Sequence, residues 1–281
     1  MDAAAPGQRE RWKAISRKLT DEDLLLREIR EGRLSARVVN MSPALIADDE
    51  GRLPHETIVR LNDDLAALVE RHPGRIHGLA SVDAYDGECS AREAERAIRE
   101  LGLRGLFVDS ARGSLMIDAP AARPTLEVAA RLGVPVFVHP VAPQPLTRQM
   151  SPYGLAGTLY ARGTANSAAL IALVEGGVLS DLPGLRIVVT SLALGGVAML
   201  AGLSGRSLEQ VFMDTNICHP VLLHAAVDLL GAGNVIAGSD WPINDGPIAR
   251  QLADTMRAAR LSDAEQQAIA AGNSLGLLGI H

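Results

Sequence analysis

Short apolar runs alternate along the chain with longer segments in which apolar residues recur at helical spacing. The apolar runs are Arg37–Met41, His77–Val82, Gly105–Val108, Pro135–His139, Arg186–Thr190, Gln210–Asp214 and Val235–Ala237. Most of them are apolar at consecutive positions, which is typical of strands that are buried on both faces. The alternation predicts parallel β-strands that are connected by helices.

The intervening segments predict helices, and several of these end at a glycine, a common residue just after a helix. The predicted helices are Leu61–His72, Ala91–Leu101, Pro124–Leu132, Ala165–Gly176, Pro220–Leu230 and Asp263–Ala271. The segment Val141–Gly163 is rich in proline and glycine. We expect it to be a long loop that acts as a lid over the site.

Parallel strands joined by helices form either a doubly wound sheet or a closed barrel. No glycine-rich phosphate loop follows the first run, and the runs are evenly spaced. These two features favour an α/β fold of the TIM-type (β/α)₈ barrel class. We expect residues 1–34 to form an N-terminal tail and helix, and residues 35–281 to form the barrel domain.

Composition and charge indicate which kinds of molecule the protein binds. The 281 residues include 47% hydrophobic and 21% charged positions, as in an ordinary globular protein, and the net charge is −6. The lack of a basic block argues against nucleic-acid binding. No apolar segment is long enough to span a membrane, and the polar N-terminus does not resemble a signal peptide. Cys89 and Cys218 are far apart and lack metal-ligand spacing, so we expect a protein of the reducing cytoplasm. With nucleic acid and membrane excluded as partners, we expect the protein to bind a small molecule.

Polar residues at the ends of the predicted strands identify a candidate site, because barrel active sites lie at the C-terminal ends of strands. His139 ends the run Pro135–His139, and Asp240 follows the last run in the segment GSDWP. His139 is a candidate metal ligand or acid/base group, and Asp240 a candidate ligand or proton carrier. Their structural alternatives are a histidine held by a backbone carbonyl and a helix-capping aspartate.

Four further residues are candidates for binding a substrate. Arg148 and Arg162 lie in the predicted lid and are suited to clamping a carboxylate. The alternative is that these arginines are solvated or pair with surface acids. Asn216 and Trp241 each follow a predicted strand end and complete the set. Ser191, also at a strand end, lacks the surroundings of a nucleophile, and we interpret it as a structural hydroxyl.

Six segments carry a family resemblance. RHPGRIHGLASV, LGLRGLFVDS, LGVPVFVHP, LSDLPGLRIVVTS, VFMDTN and NVIAGSDWP occur in the order seen in the amidohydrolase-related family. The sequence resembles in particular the branch that contains aminocarboxymuconate-semialdehyde decarboxylase. The resemblance implies a (β/α)₈ barrel, a divalent metal that is often zinc, and a homodimer.

By position, the resemblance assigns His139 to the metal-binding histidine after the fifth family strand and Asp240 to the aspartate after the eighth. The run Arg37–Met41 matches the second family strand, so the first strand and its H-x-H pair are missing or replaced. In the stretch TSLALGG, Ser191 or Ala193 stands where the family has a histidine after the sixth strand. His139 and Asp240 are therefore an incomplete set, because catalytic zinc usually has three protein ligands.

Three functions are consistent with these residues. The first is an enzyme that hydrolyses or non-oxidatively decarboxylates a small carboxylated, cyclic substrate, with a divalent metal such as zinc. The second is a metal-free enzyme in which His139 and Asp240 act as an acid/base pair. The third is a non-catalytic barrel that acts as a binding or interaction protein. We expect a homo-oligomer, because the missing strand leaves barrel surface to be covered.

Overall fold

The structure, a computed structural model, describes residues 6–43, 47, 53–205, 207–216, 219–244 and 246–280. Cys218 lies outside the described residues. The strands are β1 (Arg37–Val39), β2 (Ile76–Gly78), β3 (Ala80–Ser81), β4 (Leu106–Asp109), β5 (Ala111–Arg112), β6 (Leu115–Met116), β7 (Pro135–His139), β8 (Arg186–Val189), β9 (Val211–Asp214) and β10 (Val235–Ile236).

Helices separate these strands. They are α1 (Pro6–Leu19), α2 (Glu22–Glu31), α3 (His55–Arg71), α4 (Glu88–Arg99), α5 (Arg123–Leu132), α6 (Gln144–Met150), α7 (Gly154–Glu175), α8 (Val178–Asp181), α9 (Leu194–Met199), α10 (Pro220–Leu230), α11 (Ile248–Ala258), α12 (Asp263–Gln267) and α13 (Asn273–Leu277). None of the helices in the described part of the chain combines the length and apolar character needed to cross a bilayer.

Of the ten described strands, eight form a parallel wall, as the apolar runs predict, and β5 and β6 form a separate antiparallel pair. The order is β3–β4–β7–β8–β9–β10, and β1 pairs with β2, which continues into β3 after a break at Leu79. Each predicted run contains a strand of this wall, and Asp109 of β4 is in register with His139 of β7. The α/β barrel fold is therefore confirmed. Within the described residues no strand pairs β10 with β1.

The core is aliphatic and lies where the strands meet the surrounding helices. Residues such as Leu106, Val136, Ile187 and Val211 are completely buried on neighbouring strands. Burying one such side chain stabilises the fold by roughly 1.5–3 kcal/mol. The buried core therefore holds the strands, and the residues at their C-terminal ends, in fixed positions.

Helix α2 packs beside the open edge of the wall. Asp21 caps this helix by accepting a hydrogen bond from the backbone N–H of Leu24 over 2.8 Å. Its buried residues Leu25 and Ile29 cluster with Ile76 of β2, and Trp241, from the loop after β10, packs against the same cluster. The apolar face of α2 thus connects the first strand pair to the last loop of the barrel.

The predicted loop over Val141–Gly163 is wrong, because most of this segment is helical. It contains α6, a short 3₁₀ turn and the first part of α7. Pro145 and Pro152 lie in first turns, where the missing N–H costs no helical hydrogen bond. Gly157 lets α7 approach the backbone of Met150 more closely than a side chain would allow. In this segment the prolines begin helices, and the glycine allows close packing.

Candidate active site

His139 contacts two groups of opposite charge at the C-terminal end of β7. Its Nδ1 lies 2.9 Å from Oδ1 of Asp109, and Nη2 of Arg162 lies 2.7 Å from its Nε2. A guanidinium can only donate, so Nε2 must be the acceptor in this contact. The proton therefore resides on Nδ1 and is donated to Asp109. His139 is held as one neutral tautomer between an anion and a cation.

Helix α7 positions Arg162 through a residue one turn later. Asn166 is completely buried, and its amide donates to the carbonyl of Val138 over 3.0 Å. Its carbonyl oxygen accepts from the backbone N–H of Thr190 over 2.8 Å. Residues four apart lie on one face of a helix, so anchoring Asn166 to β7 and to the end of β8 directs Arg162 into the barrel mouth.

Two residues that sequence reasoning missed as site residues support the histidine. The hydroxyl of Ser42 lies 2.9 Å from Oδ1 of Asp109 and 2.9 Å from Nδ1 of His139. The hydroxyl of Tyr85 donates to the backbone carbonyl of Asp109 over 3.0 Å. Asp109 is recognisable in sequence as a polar strand end. Ser42, three residues beyond β1, has no local signal that places it beside His139.

Asp240 faces the same cavity as His139 and Arg162. Its backbone is left-handed with φ of 54°, a conformation that is uncommon outside glycine and that is found at functional sites. The carboxylate is open to the cavity, yet the enclosing protein desolvates it, and this raises its pKa. The charge of Arg162 and a hydrogen bond from Asn216 oppose that rise.

A second carboxylate lies close to Asp240. Burial raises the pKa of Asp214 to about 6, against the lowering effect of backbone hydrogen bonds from Ser191 and Asn216. Both backbone N–H groups lie 3.0 Å from its Oδ1. The hydroxyl of Ser191 donates to the carbonyl of Asn216, so this residue is a structural hydroxyl as the sequence suggests.

One cavity of about 530 Å³ connects these groups to the open edge of the barrel. This volume lies within the range of about 300–1,000 Å³ that is usual for small-molecule sites. Arg37 and Trp241 line the cavity near α2, with the guanidinium 5.0 Å from the centre of the indole ring. Within the described residues, the Nε–H of Arg37 and the indole N–H have no hydrogen-bond partner.

The structure brings five of the six candidate residues to this cavity. They are His139, Arg162, Asn216, Asp240 and Trp241. Arg148 is different, because it is an exposed residue of α6 and does not line the cavity. Its assignment to substrate binding stays a prediction.

The donor set does not fit a family-type metal site. Among the described residues, no three His, Cys, Asp or Glu side chains are grouped to hold a metal ion. The lone pair of the His139 Nε2, which would bind a metal, accepts a hydrogen bond from Arg162. Ser191 and Ala193 occupy the region where the resemblance places a third protein ligand. We therefore derive no catalytic step through a metal.

Comparison with characterised proteins finds relatives that are decarboxylases. The chain is 25% identical to a gamma-resorcylate decarboxylase of Polaromonas sp. strain JS666 over 100% of its own length and 94% of that protein. It is 24% identical to the 2-amino-3-carboxymuconate-6-semialdehyde decarboxylase of Dictyostelium discoideum over 96% and 79% of the two chains.

Solved structures share the fold. A dihydroxybenzoic acid decarboxylase from Polaromonas sp. JS666, solved with bound manganese and the inhibitor 2-nitroresorcinol, superimposes with a TM-score of 0.83. It is 24% identical, and the match covers 96% of this chain and 90% of that one. A family model described as Amidohydrolase matches residues 22–280. The chain belongs to this amidohydrolase family.

Proposed function

We propose that this protein catalyses the non-oxidative decarboxylation of a small aromatic acid at the cavity lined by His139, Arg162 and Asp240. The observation that carries the proposal is the 2.7 Å contact between Arg162 and His139 in a cavity that also contains Asp240. The curated relatives described above are decarboxylases, which favours decarboxylation over hydrolysis.

The substrate class follows from the charges of the cavity and from the relatives. Arg162 and Arg37 line the cavity together with Asp214 and Asp240, and the guanidinium groups are suited to binding a carboxylate. One solved relative was crystallised with 2,6-dihydroxybenzoate, a carboxylate between two hydroxyl groups. We infer a carboxylated ring with at least one hydroxyl next to the carboxylate.

Asp240 supplies the proton in this proposal. A guanidinium carries five N–H donors, so Arg162 can hold both His139 and the substrate carboxylate. Asp240 in its acid form donates a proton to the ring carbon that bears the carboxylate. The bond between that carbon and the carboxylate then breaks, CO₂ leaves, and the electron pair of the bond restores the aromatic ring. Asp240 regains its proton from solvent.

The metal expectation is supported in part. Manganese in the solved relatives supports a divalent metal in this group of enzymes, and zinc in particular stays a prediction of the resemblance. Among the residues that the structure describes, His139 and Asp240 have no third His, Cys, Asp or Glu grouped with them, short of the usual three protein ligands. We therefore assign the mechanism to the side chains alone.

Turnover in D₂O tests the proposal. We expect the wild-type protein to convert 2,6-dihydroxybenzoate or a related hydroxybenzoate to the phenol with one deuterium at the former carboxylate carbon. Asp240→Asn should lower turnover by about 10²- to 10⁴-fold, because a positioned general acid contributes that much. Asp23→Asn, an exposed change on α2, is the matched control. A panel of hydroxybenzoates that yields no product would contradict the proposal.

Three expectations from the sequence stay predictions. They are a cytoplasmic location, a homodimer, and a domain boundary between residues 34 and 35. Light scattering of the purified protein tests the dimer, with twice the chain mass of 29.6 kDa as the expected result. A mass of one chain would contradict it.

A further inference from the structure

We propose that the guanidinium of Arg162 takes the place of the divalent metal ion in this barrel, so that the site works with a protein cation alone. The inference rests on the proposed function for its substrate. Its structural part concerns only which cation contacts His139 in the cavity that Asp240 also lines.

Both side chains that the resemblance assigns to metal binding line the same cavity as Arg162. Nη2 of Arg162 donates to Nε2 of His139 over 2.7 Å, and the charge of the guanidinium acts directly on Asp240. A metal at Nε2 would have to displace this donor, because one lone pair cannot serve both. A metal beside the guanidinium would also meet like-charge repulsion.

The contacts on the other side of the His139 ring fix its orientation, as they do in histidines that bind a metal. Histidines that bind metals usually donate their second N–H to a carboxylate, a backbone carbonyl or water, which fixes the ring and its tautomer. Asp109 plays that part here over 2.9 Å, with Ser42 on the same oxygen. The orienting contact is therefore present, and the group on the other nitrogen is Arg162.

The position of Arg162 is built into the packing of α7. A side chain at Gly163 would lie 2.8 Å from the backbone oxygen of Leu192, so glycine is needed for α7 to lie this close. Asn166 is completely buried and joins α7 to β7 and to Thr190. Two independent packing features thus hold the helix that carries the guanidinium. An arginine on a mobile surface segment would lack both.

A guanidinium in place of a metal ion can bind the substrate carboxylate and balance its charge. A guanidinium binds a carboxylate through paired N–H donors, and it remains charged at all physiological pH values. Decarboxylation consumes one proton and releases CO₂, and neither change requires an electron acceptor. Arg162 therefore has to orient the carboxylate and balance its charge, while Asp240 transfers the proton.

Manganese binding to the purified protein tests the inference without any need for turnover. Mn²⁺ is titrated into chelator-treated wild-type protein and followed by electron paramagnetic resonance, with ¹H–¹⁵N spectra of the histidine rings recorded in parallel. We expect no stoichiometric site, and a His139 ring signal that Mn²⁺ leaves sharp. His139→Gln identifies that signal. One equivalent of bound Mn²⁺ that broadens the His139 signal would overturn the inference.

Arginine variants test the role of the guanidinium in ligand binding. Arg162→Met should weaken binding of 2,6-dihydroxybenzoate, measured by calorimetry, by about 10- to 100-fold, because it removes charged hydrogen bonds. Arg162→Lys keeps the charge and should recover part of that loss. Arg250→Met, at a side chain that is 83% exposed, is the matched control and should bind as wild type does. Equal binding by Arg162→Met and wild type would contradict this role.

The two claims fail in different ways. Absence of turnover with every hydroxybenzoate, together with absence of an Mn²⁺ site, would reject the proposed reaction and leave the cation assignment intact. Metal-dependent turnover that a chelator abolishes and Mn²⁺ restores would support decarboxylation and reject the assignment of Arg162.

Discussion

Nη2 of Arg162 lies 2.7 Å from Nε2 of His139, and this contact determines which nitrogen of the imidazole carries the proton. The arginine can only donate, so the proton lies on Nδ1, where Asp109 accepts it over 2.9 Å. A carboxylate, an imidazole and a guanidinium thus form one chain from β4 through β7 to α7. Asp240 faces the cationic end of that chain across the cavity.

Asp109 acts as a positioning residue in this arrangement. Asp109→Asn removes the negative charge that holds the Nδ1–H tautomer of His139. We expect kcat to fall by about 10- to 150-fold, the equivalent of losing one charged hydrogen bond, with a smaller change in KM. Ring ¹⁵N shifts of His139 should change, because Nδ1–H then loses its charged acceptor while Arg162 still donates to Nε2. Unchanged shifts with a normal kcat would show that Asp109 has only a structural role.

The two candidate arginines should behave differently. Arg148 is exposed on α6 and lies outside the cavity lining, so Arg148→Ala should leave kcat/KM within about twofold of wild type, as for surface changes generally. Arg162→Ala should lower kcat/KM by at least about tenfold, because it removes a charged hydrogen-bond donor from the cavity. Steady-state assays of both variants decide this. A larger loss for Arg148→Ala would restore its predicted role in substrate binding.

The packing of α2 beside the open edge of the wall should contribute to the free energy of unfolding. Ile29 is 2% exposed, and Ile29→Ala should lower the free energy of unfolding by about 2–5 kcal/mol through lost burial and the cavity left behind. Leu19→Ala, at a residue that is 43% exposed on α1, should change it by no more than about 0.5 kcal/mol. Urea denaturation compares them. Equal effects would show that α2 does not stabilise the barrel.

Glu22 should give a small, pH-dependent contribution to stability. Hydrogen bonds from Arg71 and then His72 lower the pKa of Glu22 to about 2. The folded-state pKa is depressed, so the stabilisation is fully present above the unfolded pKa near 4.5 and is lost as pH falls through about 2. The pair is exposed, so Glu22→Gln should cost less than about 1 kcal/mol at pH 7.

The same comparison at low pH provides the check. At pH 2 the destabilisation by Glu22→Gln should shrink towards zero. Glu70→Gln, at an exposed position on the neighbouring helix α3, should be neutral at both pH values. A constant difference between Glu22→Gln and wild type from pH 7 to pH 2 would rule out the ionic origin of the effect.

Local sequence patterns were enough to predict the strands and the strand-end residues. Apolar runs mark buried strands directly, and His139 and Asp240 follow such runs, so both were placed at the barrel mouth. Proline and glycine do not identify a loop in Val141–Gly163, because Pro145 and Pro152 lie in first turns and Gly157 allows close helix packing.

The contacts among the site residues were beyond sequence reasoning for a different reason. Ser42 and Asp109 are 67 positions apart, and His139 lies 30 positions beyond Asp109. Only the register of β4 against β7, together with the path of the chain after β1, brings them together. Likewise, the aim of Arg162 depends on the buried anchor Asn166 in α7.

The most direct test of the central claim is turnover of 2,6-dihydroxybenzoate in D₂O, followed by NMR, with and without a chelator. The account predicts a phenol that carries one deuterium at the former carboxylate carbon, formed at the same rate in both samples, and about 10²- to 10⁴-fold less product with Asp240→Asn. Product formation that stops in the chelator and returns with Mn²⁺ would contradict the account.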